Sequence, residues 1–315
     1  MNIFTKHLCR RMTAILLSAV FLVTAVANFA FAAQDIWYID SQCVSWTHAS
    51  EAEFQRLSYY QYGENEWVPS DSATFYATHQ PDIPLIIFLP GFAATPDDTV
   101  EAGMKLASFC PKERPCRLVF WNWPAQRDYS GLRNDIRTKI PIAAASGRYL
   151  AMFLRNLSPG SMVSIFGFSF GNRMSCDAVE FLSSAHPEGI RIRLVMAAAA
   201  TDYSWLAENH RHGNVPRLAE KILVLYNPGD RALRFYSFLY GDGSRPEALG
   251  RFGPPLCAIS PENRGKFEAV DVNPSVGGNH RTLLYLEAPA FRYRIGQYLF
   301  FDEAPQHASA CTPAW

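Results

Sequence analysis

The residue of this 315-residue chain that is best placed to act as a catalytic nucleophile is a serine in a segment with a glycine at each end. The segment Gly167–Gly171 (GFSFG) follows the apolar run Met162–Phe166 and opens a helical pattern. In a sharp strand-to-helix turn the backbones two positions from the central residue approach other atoms closely, and Gly167 and Gly171 leave room for that approach. The motif therefore predicts a nucleophilic Ser169 with an exposed hydroxyl. The alternative is a tight turn in which the serine only caps the helix.

An acid and a base for such a serine occur later in the chain. Asp230 ends the turn YNPGD directly after the apolar run Ile222–Tyr226, and His280 ends the loop GGNH before the last helical pattern. A histidine can take the proton of a serine, and a carboxylate can orient and stabilise the resulting imidazolium. We predict Asp230 as the carboxylate, with Asp202, which follows the run Ile192–Ala198, as its rival.

The other late histidines fit a catalytic or metal-binding role less well. His210 and His212 lie in a polar HRH segment without an evident third ligand, and His307 lies in the C-terminal tail. A protein zinc site usually has at least three protein ligands. We therefore predict no metal site. Catalysis by a serine, a histidine and a carboxylate also needs no organic cofactor, so we predict none.

Short apolar runs that alternate with helical patterns must position these residues. The predicted strands are Ile36–Asp40, Leu57–Tyr62, Leu85–Leu89, Leu118–Trp121, Met162–Phe166, Ile192–Ala198, Ile222–Tyr226 and Phe267–Val270. The predicted helices are Asp97–Ser108, Asp135–Leu157, Phe170–Ser184 and Thr282–Phe300. This pattern predicts an α/β fold with a mostly parallel central sheet, helices on both faces and early antiparallel strands. Functional residues of such sheets gather at the carboxyl ends of the strands.

The domain organisation predicted from the sequence is simple. No Gly/Ser linker, repeat or low-complexity block divides the chain, so we predict one domain over residues 33–302 and a tail over residues 303–315. The segment Trp205–Ala219 has room for a small cap only, which argues against a large lid.

The first 32 residues have the pattern of an export signal. Basic residues precede the apolar run Ala14–Ala27, and the segment Ala30–Ala32 has the small residues that a signal peptidase needs. We predict cleavage after Ala32 and a periplasmic or secreted protein without further membrane contact. The alternative is that Met12–Ala33 stays as a membrane anchor.

Charge argues against nucleic-acid binding. The whole chain has 29 basic and 29 acidic residues, but Lys6, Arg10 and Arg11 belong to the leader. Without the leader the chain has 26 basic and 29 acidic residues, a net charge of −3. Nucleic-acid-binding domains are typically basic, so we predict none here.

Cysteine usage agrees with export. Seven cysteines become six without Cys9 of the leader, and an even number can be oxidised in pairs outside the cytoplasm. Cys110 and Cys116 flank the turn PKERP, and we predict a disulfide between them. A second pair among Cys43, Cys257 and Cys311 stays open.

The order Ser169, Asp230, His280 resembles that of the α/β-hydrolase superfamily. More narrowly, the chain resembles a bacterial family of uncharacterised, exported α/β hydrolases. The segments that carry this resemblance are FLPGF, FWNWPAQR, IFGFSFGNR, LYNPGDRALRFYS and GGNHRTLLY. The resemblance implies a serine hydrolase with these three residues as its triad. One departure is Pro90-Gly91, where many hydrolases have His-Gly.

The expected reaction is acyl transfer through a covalent serine intermediate. The backbone amides of Phe92 and Phe170 are the expected oxyanion hole. Phe92, Phe168, Phe170 and Trp123 follow or end strands, which indicates an apolar pocket and a small carboxylic ester as substrate. A peptide substrate is a further alternative, and an exported binding protein that kept this fold without turnover is another. The oligomeric state stays open.

Overall fold

A computed structural model describes residues 34–185, 189–240 and 246–303. The predicted signal peptide, the tail beyond residue 303, His307 and Cys311 lie outside these residues. Among the described helices, none is both long and apolar enough to cross a membrane.

In the described residues nine strands form one sheet in the order β3-β2-β1-β5-β4-β6-β7-β8-β9. The neighbouring pairs from β1–β5 across the sheet to β8–β9 are parallel. The pairs β1–β2 and β2–β3 are antiparallel. The mostly parallel sheet with early antiparallel strands is thus confirmed. The strands are β1 Asp35–Asp40, β2 Ser58–Gly63, β3 Glu66–Ser70, β4 Leu85–Leu89, β5 Arg117–Asn122, β6 Met162–Phe168, β7 Arg191–Ala197, β8 Ala219–Tyr226 and β9 Phe267–Asp271.

The edge strand β3 was not predicted. Glu64 and Asn65 join it to β2 and have φ values of 53° and 67°, as two-residue hairpin turns of this twist require. The strand has polar residues and Pro69, which an edge position tolerates because one side of the strand has no partner.

Helices cover both faces of the sheet. Consecutive residues of β5 point to opposite faces. A Cβ added to Gly103 of the helix Pro96–Ser108 would lie 2.5 Å from the Phe120 ring, and the centroid of the Trp121 ring lies 5.6 Å from that of Phe153 in the helix Leu132–Arg155. The helices are α1 Glu51–Phe54, α2 Ser72–Ala77, α3 Pro96–Ser108, α4 Leu132–Arg155, α5 Gly171–Ala185, α6 Val215–Leu218, α7 Tyr236–Tyr240, α8 Leu249–Phe252, α9 Pro261–Arg264, α10 Asn273–Val276, α11 Thr282–Glu287, α12 Pro289–Arg292 and α13 Ile295–Leu299.

The single helix predicted over Thr282–Phe300 is wrong. The segment forms three short helices, α11 to α13, instead. Pro289 is the first residue of α12, and Ala288 before it has an extended ψ of 126°. A proline disfavours helical geometry at the preceding residue, so the apolar periodicity continues while the helix does not.

Cys110 and Cys116 are both buried and are free thiols, and the structure has no disulfide among its described cysteines. The predicted bridge is therefore absent from it. The neighbouring Cys116 thiol and burial together raise the pKa of the Cys110 thiol, which donates to the Leu106 carbonyl at 3.7 Å.

Candidate active site

The GFSFG motif forms a sharp turn between β6 and α5. Ser169 has a φ of 51°, a left-handed conformation that is uncommon for a residue with a side chain. The turn leaves no space beside it: a Cβ on Gly167 would lie 2.5 Å from Asn172 Oδ1, and one on Gly171 would overlap the Leu89 carbonyl oxygen. Strain of this kind persists where the surrounding structure enforces it, and it is frequent at functional sites.

The structure brings together the three residues that the sequence singles out. His280 Nε2 lies 2.9 Å from Ser169 Oγ, and His280 Nδ1 lies 2.7 Å from Asp230 Oδ2. With Nδ1 protonated, the ring donates to the carboxylate and accepts from the hydroxyl. Ser169 was expected to be exposed, yet it is 5% exposed and lies at the bottom of a cleft.

Asp230 is held in place through both of its oxygens. The amides of Ala232 and Leu233 donate to Oδ1, each at 2.9 Å. The Tyr285 hydroxyl donates to Oδ2 at 3.1 Å, on the same oxygen that faces His280. Burial, together with the charge of Asp230, raises the pKa of Tyr285, which keeps the hydroxyl protonated as a donor. Sequence reasoning missed Tyr285, because only the folded α11 brings it to the carboxylate.

Two hydrogen bonds join the loop of His280 to the turn of Asp230. Asn227 Nδ2 donates to the Gly277 carbonyl at 2.7 Å, and the Arg231 amide donates to the Gly278 carbonyl at 3.3 Å. Gly277 has a φ of 60°, a conformation that favours glycine. The carbonyls of the two glycines before His280 therefore hold its loop against the Asp230 turn, 50 residues away in sequence.

The loop after β4 lies against the first turn of α5. Trp123 Nε1 donates to the Pro90 carbonyl at 3.0 Å, and the Ala93 amide donates to the Ala125 carbonyl at 2.8 Å. The rings of Phe92 and Phe170 lie 5.8 Å apart. Both residues of the predicted oxyanion hole are thus adjacent to Ser169. The hydrogen bond from Trp123 holds Pro90-Gly91 in place, at the position where many hydrolases have His-Gly. Trp123 is buried and supports this loop from behind.

The alternative candidates Asp202 and His212 form hydrogen bonds with residues other than Ser169 and His280. Asp202 Oδ1 accepts from the amide and hydroxyl of Ser204, both at 2.9 Å, at the start of a 3₁₀ turn. His212 is buried and its Nε2 lies 2.9 Å from Asp177 Oδ1. Over residues 34–185, 189–240 and 246–303 no group of three or more His, Cys, Asp or Glu side chains could hold a metal ion.

An apolar cavity of about 390 Å³ opens beside Ser169. Its wall comes from the start of α4 and from the segment that follows the Asp230 turn. Arg133 lies over the Phe238 ring at 5.1 Å, which joins these two parts of the wall. The lining residues are Phe92, Leu132, Ile136, Ser169, Ala232, Leu233, Phe235, Phe238, Leu239 and His280.

A second cavity, of about 250 Å³, lies on the other side of His280 and is more polar. Asp98, Glu101 and Arg281 are among its lining residues, together with Phe168. The Phe168 ring packs on His280 with centroids 5.0 Å apart. Phe168 therefore lines the polar side of the cleft, whereas Phe92 lines both cavities.

The segment predicted as a cap, Trp205–Ala219, lines neither of these two cavities. Trp205 packs over Arg173 and His212 instead. The wall around Ser169 comes from residues 232–239, an apolar and aromatic run (ALRFYSFL) directly after the Asp230 turn. The apolar and aromatic composition of this run is the sequence signal for the cavity.

A family model of α/β hydrolases of unknown function, DUF900, matches residues 72–288. The chain belongs to this family. The matched region contains the Ser169 turn, Asp230 and His280, and its fold agrees with the resemblance seen in the sequence. A comparison with curated proteins gave no match.

Three solved structures to which the chain is similar are described as hydrolases, and each has low sequence identity to it. A predicted cell surface hydrolase from Lactobacillus plantarum WCFS1 is 16% identical, with a TM-score of 0.42 over 72% of this chain and 95% of that one. Lipase B of Aspergillus fumigatus is 14% identical, with a TM-score of 0.38 over 71% of this chain and 54% of that one. An acetyl xylan esterase is 14% identical, with a TM-score of 0.34 over 70% of this chain and 96% of that one.

Proposed function

We propose that the protein is a serine hydrolase that cleaves carboxylic esters, with Ser169 as nucleophile, His280 as general base and Asp230 as the orienting carboxylate. One observation carries the proposal. The three side chains form a continuous line of contacts, with the 2.9 Å and 2.7 Å distances on the two ring nitrogens of His280, at a serine held in a left-handed turn. A helix-capping serine has no need of this arrangement.

The proposed reaction begins when His280 Nε2 takes the Ser169 proton as Oγ attacks the ester carbonyl. The carbonyl oxygen becomes an oxyanion, which the backbone amides of Phe92 and Phe170 stabilise. Loss of one such donor commonly raises the barrier by about 3 to 4 kcal/mol. His280 then protonates the leaving alcohol, and water releases the acid from the acyl-enzyme by the same steps. None of these steps uses a metal or organic cofactor.

The two cavities support an ester with an apolar acid and a polar alcohol. The apolar cavity contains Ser169 in its wall and suits an acyl chain, because burial of each methylene contributes about 0.8 kcal/mol. The cavity beyond His280 has Asp98, Glu101 and Arg281 for a polar leaving group. His280 lines both cavities, as the group that must protonate that alcohol.

A panel of p-nitrophenyl esters tests this arrangement. We expect kcat/KM to rise from acetate through butanoate to hexanoate, by up to about fourfold for each methylene that enters the cavity. A second series of acetates with longer alkyl alcohols should show no such rise. An increase in the alcohol series alone would contradict the proposed placement of the acid and the alcohol.

Phe238→Ala tests the wall of the apolar cavity. Phe238 is 64% exposed, so its loss should leave the fold intact while kcat/KM for hexanoate falls by roughly three- to tenfold and that for acetate changes little. Phe252→Ala is the matched control, because Phe252 is 52% exposed and does not line the cavity. Equal effects of the two variants on hexanoate would contradict an acyl site here.

We further propose that residues 1–32 are a cleaved signal peptide, that residues 33–302 are one hydrolase domain with the tail 303–315, and that the protein is periplasmic or secreted. The basic start, the apolar run and the Ala30–Ala32 segment support the signal. The single buried core over the described residues supports one domain.

In the exported protein we expect Cys110 and Cys116 to form a disulfide. Both thiols are buried in the core, and closing a loop of about seven residues contributes roughly 2 kcal/mol in the chain-entropy model. Peptide mapping without reductant should find the two peptides linked. Cys176, buried in α5, is the internal control and should stay a free thiol. Finding Cys110 and Cys116 as free thiols in exported protein would contradict the prediction.

A further inference from the structure

An aromatic groove lies between the edge of the sheet and the first turns of α3, outside the two cavities beside Ser169. It has a volume of about 470 Å³. The proposed reaction does not use it. We call it the aromatic groove and define it by Tyr38, Tyr60, Trp67, Pro96, Asp97, Val100 and Glu101.

The groove exists because α3 covers only part of its face of the sheet. Gly103 of α3 packs directly on the ring of Phe120 in β5. The ring of Trp67 in β3 also packs on Phe120, with ring centroids 6.0 Å apart. Tyr38 is level with Phe120 in the β1–β5 register, and Tyr60 is level with Tyr38 in the β1–β2 register. These rings therefore form a half-buried aromatic wall, and the flank of α3 forms the opposite wall.

The rings are angled to each other. Tyr38 and Trp67 have centroids 5.6 Å apart and planes at 53°, and Tyr38 and Tyr60 have centroids 6.0 Å apart and planes at 63°. Rings inclined in this way form an uneven surface, which a compact group can contact at more than one ring. A flat sugar ring would instead stack on one open ring face, so the geometry favours a rounded ligand.

The groove is also negative in character. Asp97 and Glu101, four residues apart on α3, are exposed at its rim, and among the residues that the structure describes no Lys, Arg or His lines it. Burial raises the pKa of Tyr38, and Asp40, Tyr60 and Asp97 raise it further, so the phenol stays neutral beside these carboxylates. The faces of aromatic rings are themselves electron-rich and attract cations.

From these contacts we infer that the aromatic groove binds a small organic cation with a trimethylammonium group. Such a group is rounded and apolar at its surface and carries a diffuse positive charge. Inclined aromatic faces with carboxylates at the rim complement all three properties. Glu101 lines both this groove and the polar cavity beside His280, so a bound cation would lie next to the proposed leaving-group side of the cleft.

The binding of choline to the full folded chain tests the inference, by calorimetry or by ligand-observed NMR. The neutral control is 3,3-dimethylbutan-1-ol, in which carbon replaces the nitrogen. We expect choline to bind with a Kd on the order of millimolar and the neutral analogue to bind about tenfold more weakly. Sedimentation with phosphatidylcholine vesicles distinguishes a lipid headgroup from a free cation as the source of the ligand.

Variants locate the site. Asp97→Asn combined with Glu101→Gln keeps the shape of α3 and should weaken choline binding about fivefold, whereas Glu64→Gln in the exposed β2–β3 turn should not. Trp67→Leu should abolish binding, with the fold checked by circular dichroism. Equal binding of choline and its neutral analogue, or no choline binding by the folded protein, would overturn the inference. Because the assay measures binding, its result does not depend on whether Ser169 is catalytic.

Discussion

A fluorophosphonate probe should label the wild-type protein on Ser169, and Ser169→Ala should abolish both the labelling and ester hydrolysis. Such probes need an activated serine and oxyanion donors but little substrate recognition. In the proposed mechanism the 2.9 Å contact between Ser169 Oγ and His280 Nε2 supplies the activation. We expect turnover to fall by about 10⁴-fold or more in Ser169→Ala, as for loss of other triad residues. Labelled-peptide mass spectrometry and a p-nitrophenyl butanoate assay give the two measurements.

His280→Ala should likewise prevent labelling. His280 is partly exposed, and the alanine at position 169 removes only a hydroxyl, so both variants should unfold within a few degrees of the wild type. A folded wild-type protein that stays unlabelled, and hydrolyses no ester above the Ser169→Ala background, would favour the binding-protein alternative.

The chain contains a matched control for the serine prediction. Ser161 Oγ lies 2.8 Å from His79 Nε2, a serine–histidine contact like that of Ser169. However, the Ser161 hydroxyl donates to the Ser158 carbonyl at 2.6 Å, so its proton is not available to the imidazole. Burial and the charge of Arg117 lower the pKa of His79 to about 4, which makes it a weak base. We therefore expect Ser161→Ala to be labelled like the wild type.

The parts of the fold that could be predicted are those whose signal is local. The β4 run is apolar throughout, and the β6 run is apolar apart from Ser164, because both faces of these strands are covered. A short apolar run between turn signals predicts such a strand. Glycines stand two positions before and after Ser169 because the turn leaves no space for a Cβ at either position. The motif in the sequence therefore predicts the geometry of the turn directly. The edge strand β3 has no apolar run that would predict a strand. The segment after Thr282 has the periodicity of one helix, although Pro289 divides it.

The candidate site was only partly predictable for a different reason. Asp230 and His280 could be selected because each follows a strand whose carboxyl end lies at one edge of the sheet. Tyr285 and the cavity residues Leu132 and Phe238 come from helices, and their part in the site depends on how those helices pack. Helix packing is a tertiary property that periodicity does not specify, so the apolar wall became visible only in the structure.

Asp230→Asn should lower turnover by about 10⁴-fold, while Asp202→Asn should stay near the wild type. The amides of Ala232 and Leu233 hold Oδ1 of Asp230, so an asparagine would keep its oxygen there and turn its NH₂ group toward His280. An NH₂ group donates, which requires an unprotonated Nδ1 and places the ring proton on Nε2, where it prevents acceptance of the serine proton.

Asp202→Asn is a control of the same chemistry at the rival position. Asp202 caps a 3₁₀ turn through Ser204, and asparagine is an equally good cap, so that variant should keep both fold and activity. Both variants are to be compared by kcat on p-nitrophenyl butanoate, with circular dichroism as the check on folding. A large loss of turnover in Asp202→Asn, with Asp230→Asn near wild type, would show that the carboxylate assignment is wrong. The 2.7 Å contact between Asp230 Oδ2 and His280 Nδ1 is the reason to expect the opposite.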